Sequence, residues 1–149
     1  MTDFPSFFPS SDDGRAASLL ACCAETRQHG LTLSPAQAAA LDRTRSDALR
    51  RTGRVELHGG TVETLLRTFC ASPYLTQASF EPVLHELIGL FYDLRAEISD
   101  RIPDDALIGY MKQAFDGECA GSVELLAGEA VPALVRRLNA ARVRRGETL

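Results

Sequence analysis

The 149-residue sequence contains no tryptophan, one lysine and no hydrophobic run near the ~20 residues that are needed to span a bilayer. The last absence excludes a transmembrane helix, so no membrane contact is expected. Residues 2–13 contain no lysine or arginine and no apolar segment follows Met1, which is unlike a secretory signal and favours a cytoplasmic protein. The net charge of −4 argues against a nucleic-acid partner, because such proteins carry basic surfaces.

Cys-x-x-Cys spacing is also absent, so the four cysteines indicate neither a zinc ribbon nor a redox pair. In a reducing compartment we interpret them as small apolar packing residues. The dipeptide His85-Glu86 matches the start of a zinc-protease motif, but Gly89 stands where the second histidine is required. Glu81 and His85 share a helical face, yet no Glu-x-x-His motif occurs in the chain. We expect no metal and no cofactor.

Basic charge is carried by 15 arginines and the single lysine Lys112. Together with abundant alanine, this bias indicates a compositional preference, with arginine replacing lysine on a solvated surface. Charge is unevenly distributed: residues 72–129 have three basic and eleven acidic side chains, net −8, whereas residues 130–149 have five and one, net +4. Such segments can attract each other within one fold or pair between two chains.

Capping residues and apolar spacing predict helices along most of the chain. The clearest helix start has Ser34 as N-cap, Pro35 at the first helical position and Gln37 completing a capping box. Other boundaries are predicted at glycines that end the first two helices and at N-caps of three later ones: Gly30, Gly53, Thr61, Ser79 and Asp104.

The longest helix is predicted over residues 79–102, with Pro82 in its first turn and Pro103 beyond its end. Its apolar residues recur at alternating intervals of four and three, which indicates a core stripe along about five turns. The stripe comprises Phe80, Leu84, Leu87, Phe91, Leu94 and Ile98. The opposite side includes the small residues Gly89 and Ala96, which predict that a second helix covers it.

Because no stretch alternates as a strand would, the sequence predicts an all-α fold, a compact bundle of six or seven helices around the long helix. A single helical domain is expected over residues 14–149, preceded by an arm over residues 1–13 in which prolines oppose regular structure. Three phenylalanines make this arm too apolar for a solvated tail: Phe4, Phe7 and Phe8. We expect the arm to dock on the domain or on a second chain.

Four carboxylates lie beside the core stripe of the long helix, within about a 60° arc of the helical wheel. They are Glu86, Asp93, Glu97 and Asp100, and we call them the acidic flank. The pattern is typical of a solvated face with an i,i+4 pair such as Glu97–Arg101. Its functional interpretation is a docking surface for a basic partner.

Four short segments together resemble an uncharacterised bacterial family of small proteins, a domain of unknown function. They are residues 53–57 (GRVEL), 69–74 (FCASPY), 104–108 (DDALI) and 115–122 (FDGECAGS). The resemblance covers roughly residues 31–128, without the phenylalanine-rich arm and the arginine-rich tail. It implies a bacterial, cytoplasmic protein without an assigned activity, and it transfers no functional residue.

Two hypotheses about function follow from these observations. The first is a protein-interaction adaptor or regulator without catalysis, which binds a partner protein or a second copy through the acidic flank and the arm. The alternative is a small enzyme or ligand-binding bundle that uses Cys70, Cys119, His85 and nearby carboxylates in a pocket. The sequence identifies no small-molecule ligand.

Overall fold

The computed structural model describes residues 11–54, 56, 60–98 and 102–144, with side chains from residue 16 to residue 141 of these ranges. The long elements are α1 Ser11–Thr26, α2 Pro35–Thr52, α3 Thr61–Phe69, α4 Gln77–Ile98, α5 Asp104–Asp116 and α6 Val131–Arg144. A 3-10 turn follows α1, and a helical turn at Val123–Leu125 continues through the π-helical Leu126–Ala130 into α6. The described residues contain no strand, which confirms the all-α prediction. None of the described helices has the length and hydropathy to cross a membrane.

Helix α4 is the centre of the bundle, as predicted, because it packs against α2, α3, α5 and α6. All six residues of its apolar stripe are buried, none more than 1% exposed. Its other side is covered by α2, where Thr44 contacts His85 and Arg51 Nη2 lies 4.0 Å from the position that a Cβ would take at Gly89. The prediction that a second helix covers this side is therefore confirmed.

The predicted start and end of α2 are confirmed in detail. The Gln37 amide donates to Ser34 Oγ at 3.1 Å, and the Ser34 amide donates to Gln37 Oε1 at 2.9 Å. This reciprocal pair satisfies two amides that the first helical turn leaves without partners. Gly53 ends α2 with φ +68°, a left-handed conformation that glycine adopts without steric cost.

Three predicted N-caps are wrong. Helix α4 begins two residues earlier than predicted, since Ser79 and Thr76 exchange side-chain and backbone hydrogen bonds and Thr76 is the cap. Pro82 therefore lies in the second turn of α4. Thr61 and Asp104 are the first residues of α3 and α5, and the residues before them hold the cap positions without side-chain capping bonds. Their side chains bind other polar groups, which are described below.

Two of the segments that carry the family resemblance pack on each other between α3 and the end of α5. Ser72 Oγ donates to Asp116 Oδ1 at 2.6 Å. Tyr74 lies against Gly121, where an added Cβ would come within 2.5 Å of the tyrosine. These two segments therefore hold the loop between α3 and α4 against the loop that follows α5.

We expect Leu87→Ala to lower the free energy of unfolding by about 2–5 kcal/mol, because Leu87 is fully buried at the middle of α4 and its truncation leaves a cavity. Urea unfolding at pH 7 measures the change. Leu125→Ala is the matched control, since Leu125 is 39% exposed and its truncation should cost less than about 0.5 kcal/mol. Equal losses from the two variants would mean that the core is assigned to the wrong face of α4.

Candidate interaction surface and buried charge network

The described residues of the acidic flank lie on the solvent side of α4. Glu86, Asp93 and Glu97 are exposed, whereas Asp100 lies outside the described residues. Asp93 Oδ1 accepts a hydrogen bond from Arg51 Nη2 at 2.8 Å, and both side chains are more than half exposed. An exposed pair of this kind contributes about 0–1 kcal/mol. The phenylalanines of the arm, Phe4, Phe7 and Phe8, also lie outside the described residues.

A groove of about 340 Å³ runs between α4 and α6, beside the acidic flank. We call it the α4/α6 groove. Its lining includes six apolar or small residues: Leu90, Leu94, Ala127, Val131, Pro132 and Val135. Asp93 and Glu97 line it from α4, and Arg136 lines it from α6. The sequence indicated the acidic edge of this groove but not the groove itself, because the pairing of α4 with α6 is a long-range contact.

A second group of charges is buried inside the bundle, around the carboxylate of Glu56. Arg45 donates to Glu56 Oε1 from Nε at 2.8 Å and from Nη2 at 2.7 Å. The other oxygen accepts from Tyr92 at 2.7 Å and from Thr61 at 3.0 Å. Arg95 Nη1 lies 3.4 Å from the same oxygen. The side chains of Glu56, Arg45 and Arg95 are at most 10% exposed.

Arg95 extends this buried charge network to the start of α5. Its Nη1 donates to Asp104 Oδ2 at 3.1 Å, and its guanidinium carbon lies 5.5 Å from the ring centre of Tyr92. Stacking on an aromatic face suits the weakly hydrated guanidinium group better than an ammonium group. The network therefore joins side chains from α2, α3, α4 and α5 to one carboxylate.

The pKa of Glu56 shows that the network holds the ionised form. Burial alone would raise this pKa, but hydrogen bonds from Tyr92 and Arg45 and the charge of Arg45 outweigh it, so the pKa lies below its ordinary value. Burial raises the pKa of Tyr92, and the charge of Glu56 raises it further. Tyr92 therefore remains a hydrogen-bond donor at neutral pH.

Sequence reasoning missed this network for two reasons. The composition predicts solvated arginines, which is wrong for Arg45 and Arg95, since both are buried. Glu56 lies in a connecting segment without helical periodicity, so no pattern marked it as internal. The available signal was the resemblance itself, because two of its four segments supply Glu56 and Asp104.

The alternative hypothesis requires Cys70, Cys119 and His85 to share a pocket. His85 Nδ1 lies 2.6 Å from Thr44 Oγ1, and its Nε2 lies 2.5 Å from Glu81 Oε2, so its recorded partners lie on α2 and α4. Both cysteines are buried free thiols that follow the last turns of other helices, and the side-chain contacts of His85 are with Thr44 and Glu81 instead. Across the described residues, no three metal-binding side chains are grouped as a metal site would require.

Burial is the largest influence on the thiols. It raises the pKa of Cys70, and the charge of Glu25 raises it further. It also raises the pKa of Cys119, with Glu118 and Glu129 acting in the same direction. A raised pKa lowers the fraction of thiolate, which is the nucleophilic form. The surroundings of these two cysteines therefore favour packing over nucleophilic chemistry.

Glu56→Gln should lower the free energy of unfolding by about 3–5 kcal/mol at pH 7, because two buried guanidinium groups lose their shared carboxylate. The folded-state pKa of Glu56 lies below the ordinary value of 4.5. The stabilisation is therefore fully present above about pH 4.5 and disappears as the pH falls through the lower, folded-state pKa. Urea unfolding of wild type and variant between pH 7 and pH 3 measures the difference.

Glu86→Gln is the control for this experiment, since Glu86 is an exposed carboxylate on α4. It should leave stability within about 0.5 kcal/mol of wild type at every pH. A Glu56→Gln deficit that stays constant down to pH 3 would contradict the assignment of an ionised, hydrogen-bonded Glu56.

We expect the native protein to react slowly with Ellman's reagent at pH 8, because all four thiols are buried and the pKa values of Cys22, Cys70 and Cys119 are raised. In guanidinium chloride all four should react at the rate of free cysteine. Absorbance at neutral to mildly alkaline pH follows both reactions. A native thiol that reacts as fast as free cysteine would support the alternative hypothesis of a reactive pocket.

Comparison with protein families shows to which family the chain belongs. A model of a family of unknown function, DUF6323, matches residues 18–144. The match extends the predicted region of resemblance at both ends, so that it includes most of α1 and all of α6. Comparisons with curated proteins and with solved structures gave no match. Since the family match covers well over half of the sequence, the chain belongs to DUF6323, a family of unknown function.

Proposed function

We propose that the protein is a non-catalytic interaction domain that binds a helix of another protein molecule in the α4/α6 groove. The observation that carries this proposal is the groove itself, in which an apolar floor lies between exposed charges. Grooves between two helices accept a third helix, whose side chains at positions i, i+3, i+4 and i+7 enter the groove. The apolar residues that line the groove are the surface on which such anchors would pack.

The charges around the groove support a partner with basic residues on one edge. Asp93 and Glu97 lie on the α4 side, within a segment whose net charge is −8. Charge at the rim of an interface chiefly sets the association rate, the orientation and the salt dependence of binding. The apolar floor would supply the affinity and the acidic flank the orientation.

Cys70, Cys119 and His85, which the enzyme hypothesis requires, support that hypothesis less well than the groove supports binding. The hydrogen bonds of His85 and Cys70 and the charged residues near Cys119 belong to separate parts of the bundle. Burial lowers the reactivity of both thiols. The proposal therefore places the function at the surface of α4 and α6.

A photo-crosslinking experiment tests the proposal. A benzophenone amino acid replaces Ala127, which is exposed in the groove, or Arg43, which is exposed on α2 and does not line it. Irradiation in cells of the source organism should give protein adducts from position 127 and not from position 43. Mass spectrometry identifies each adduct.

Charge variants show whether an adduct depends on the groove. Glu97→Arg should remove the adducts formed from position 127, and Glu118→Arg, an exposed control outside the groove, should leave them unchanged. Adducts that are indifferent to Glu97→Arg, or equal at both crosslinking positions, would contradict the proposed function.

A further inference from the structure

We infer that the molecule bound in the α4/α6 groove is a second copy of this chain, an inference that rests on the proposed function. The two edges of the groove carry opposite charges, Glu97 on α4 and Arg136 on α6, and both side chains are exposed. In the part of the chain that the structure describes, neither has an ion-pair partner, although they line the same groove. Asp93 differs, because it is paired with Arg51 of its own chain.

Opposite charges on the two edges make the groove complementary to itself. A two-fold axis along the groove places α4 of each copy opposite α6 of the other. Glu97 of one copy then faces Arg136 of the second, and the same contact occurs twice. A two-fold axis across the groove, perpendicular to the first, would place α4 of one copy against α4 of the other and bring like charges together. The charges therefore favour the axis along the groove.

The same operation brings the two apolar floors together. The two pairs of helices face each other as a four-helix bundle, in which Leu90 and Pro132, both partly exposed, lie at the centre and side chains of the second copy enter the groove. Much of the floor is already buried within one chain, since Leu94, Val131 and Val135 are at most 8% exposed. The additional apolar area is therefore small, and the dimer is weak and reversible.

Sedimentation velocity over a concentration series at low salt tests this inference. Wild type should associate reversibly as its concentration rises. Glu97→Arg and Arg136→Glu should each weaken this association roughly tenfold or more, because each places two like-charged contacts at the two-fold interface. Far-UV circular dichroism checks that both variants remain helical, and Glu118→Arg serves as the control that associates like wild type.

The decisive sample is an equimolar mixture of the two charge variants. In a mixed dimer, arginines at positions 97 and 136 of one copy face glutamates at positions 136 and 97 of the other, so both contacts are restored. The mixture should associate at least as strongly as wild type, at concentrations at which each variant alone stays monomeric. A partner with a different sequence would give no such restoration.

Two results would overturn the inference: wild type that stays monomeric to millimolar concentration, or a mixture that remains monomeric while wild type associates. Crosslinking from position 127 distinguishes these failures from failure of the proposed function. Adducts with a different protein that depend on Glu97 would leave the proposed function standing and exclude the second copy as the occupant. If no such adduct forms and wild type and the mixture are both monomeric, the inference and the proposed function are both overturned.

Discussion

The bundle depends on the buried carboxylate of Glu56. It receives hydrogen bonds from Arg45 on α2, Thr61 on α3 and Tyr92 on α4, and Arg95 links it to Asp104 on α5. A buried ion pair often adds little to stability compared with apolar residues of the same shape, whereas removal of one partner leaves an uncompensated charge. The network therefore constrains the register of the four helices, since sliding any one of them would remove a hydrogen-bond partner from a buried charged group.

This constraint explains why two of the three wrongly predicted N-caps, Thr61 and Asp104, could not be assigned from local sequence. Thr61 and Asp104 have side chains that are typical of N-caps, but Thr61 donates to the buried Glu56 carboxylate and Asp104 accepts from the buried Arg95 guanidinium group. Hydrogen bonds to charged groups are stronger than those between neutral groups. The sequence predicts Ser79 as the cap of α4, but the reciprocal hydrogen bonds between Thr76 and Ser79 place the boundary at Thr76. Local patterns did predict the all-α class, the capping box of α2 and the buried stripe of α4, because these depend on periodicity and on neighbouring residues alone.

Only the acidic edge of the candidate site could be predicted from the sequence, because the other edge depends on a long-range contact between helices. The helical wheel placed Glu86, Asp93 and Glu97 on one exposed flank, and the structure confirms their exposure. The opposite edge of the α4/α6 groove is supplied by Arg136, which lies 39 positions beyond Glu97 and was one of many arginines without a distinguishing pattern. Segment charge indicated attraction between the acidic middle and the basic end of the chain, but it could not show which pair of helices would present it.

The charged side chains of α4 point to two different sides of the helix. Arg95 faces inward, 8% exposed, and stacks on Tyr92, whereas Glu97, two positions later and so on roughly the opposite side of the helix, faces the groove. The inward charge fixes the rotation of α4 about its own axis, and that rotation determines which residues line the groove. A helix held only by an apolar stripe could rotate by a few tens of degrees at modest cost, because aliphatic side chains repack. A buried guanidinium group that lies between two carboxylates opposes such a rotation, because the rotation would move the charge away from both partners. The same contacts therefore hold the acidic edge of the groove in its place on the surface.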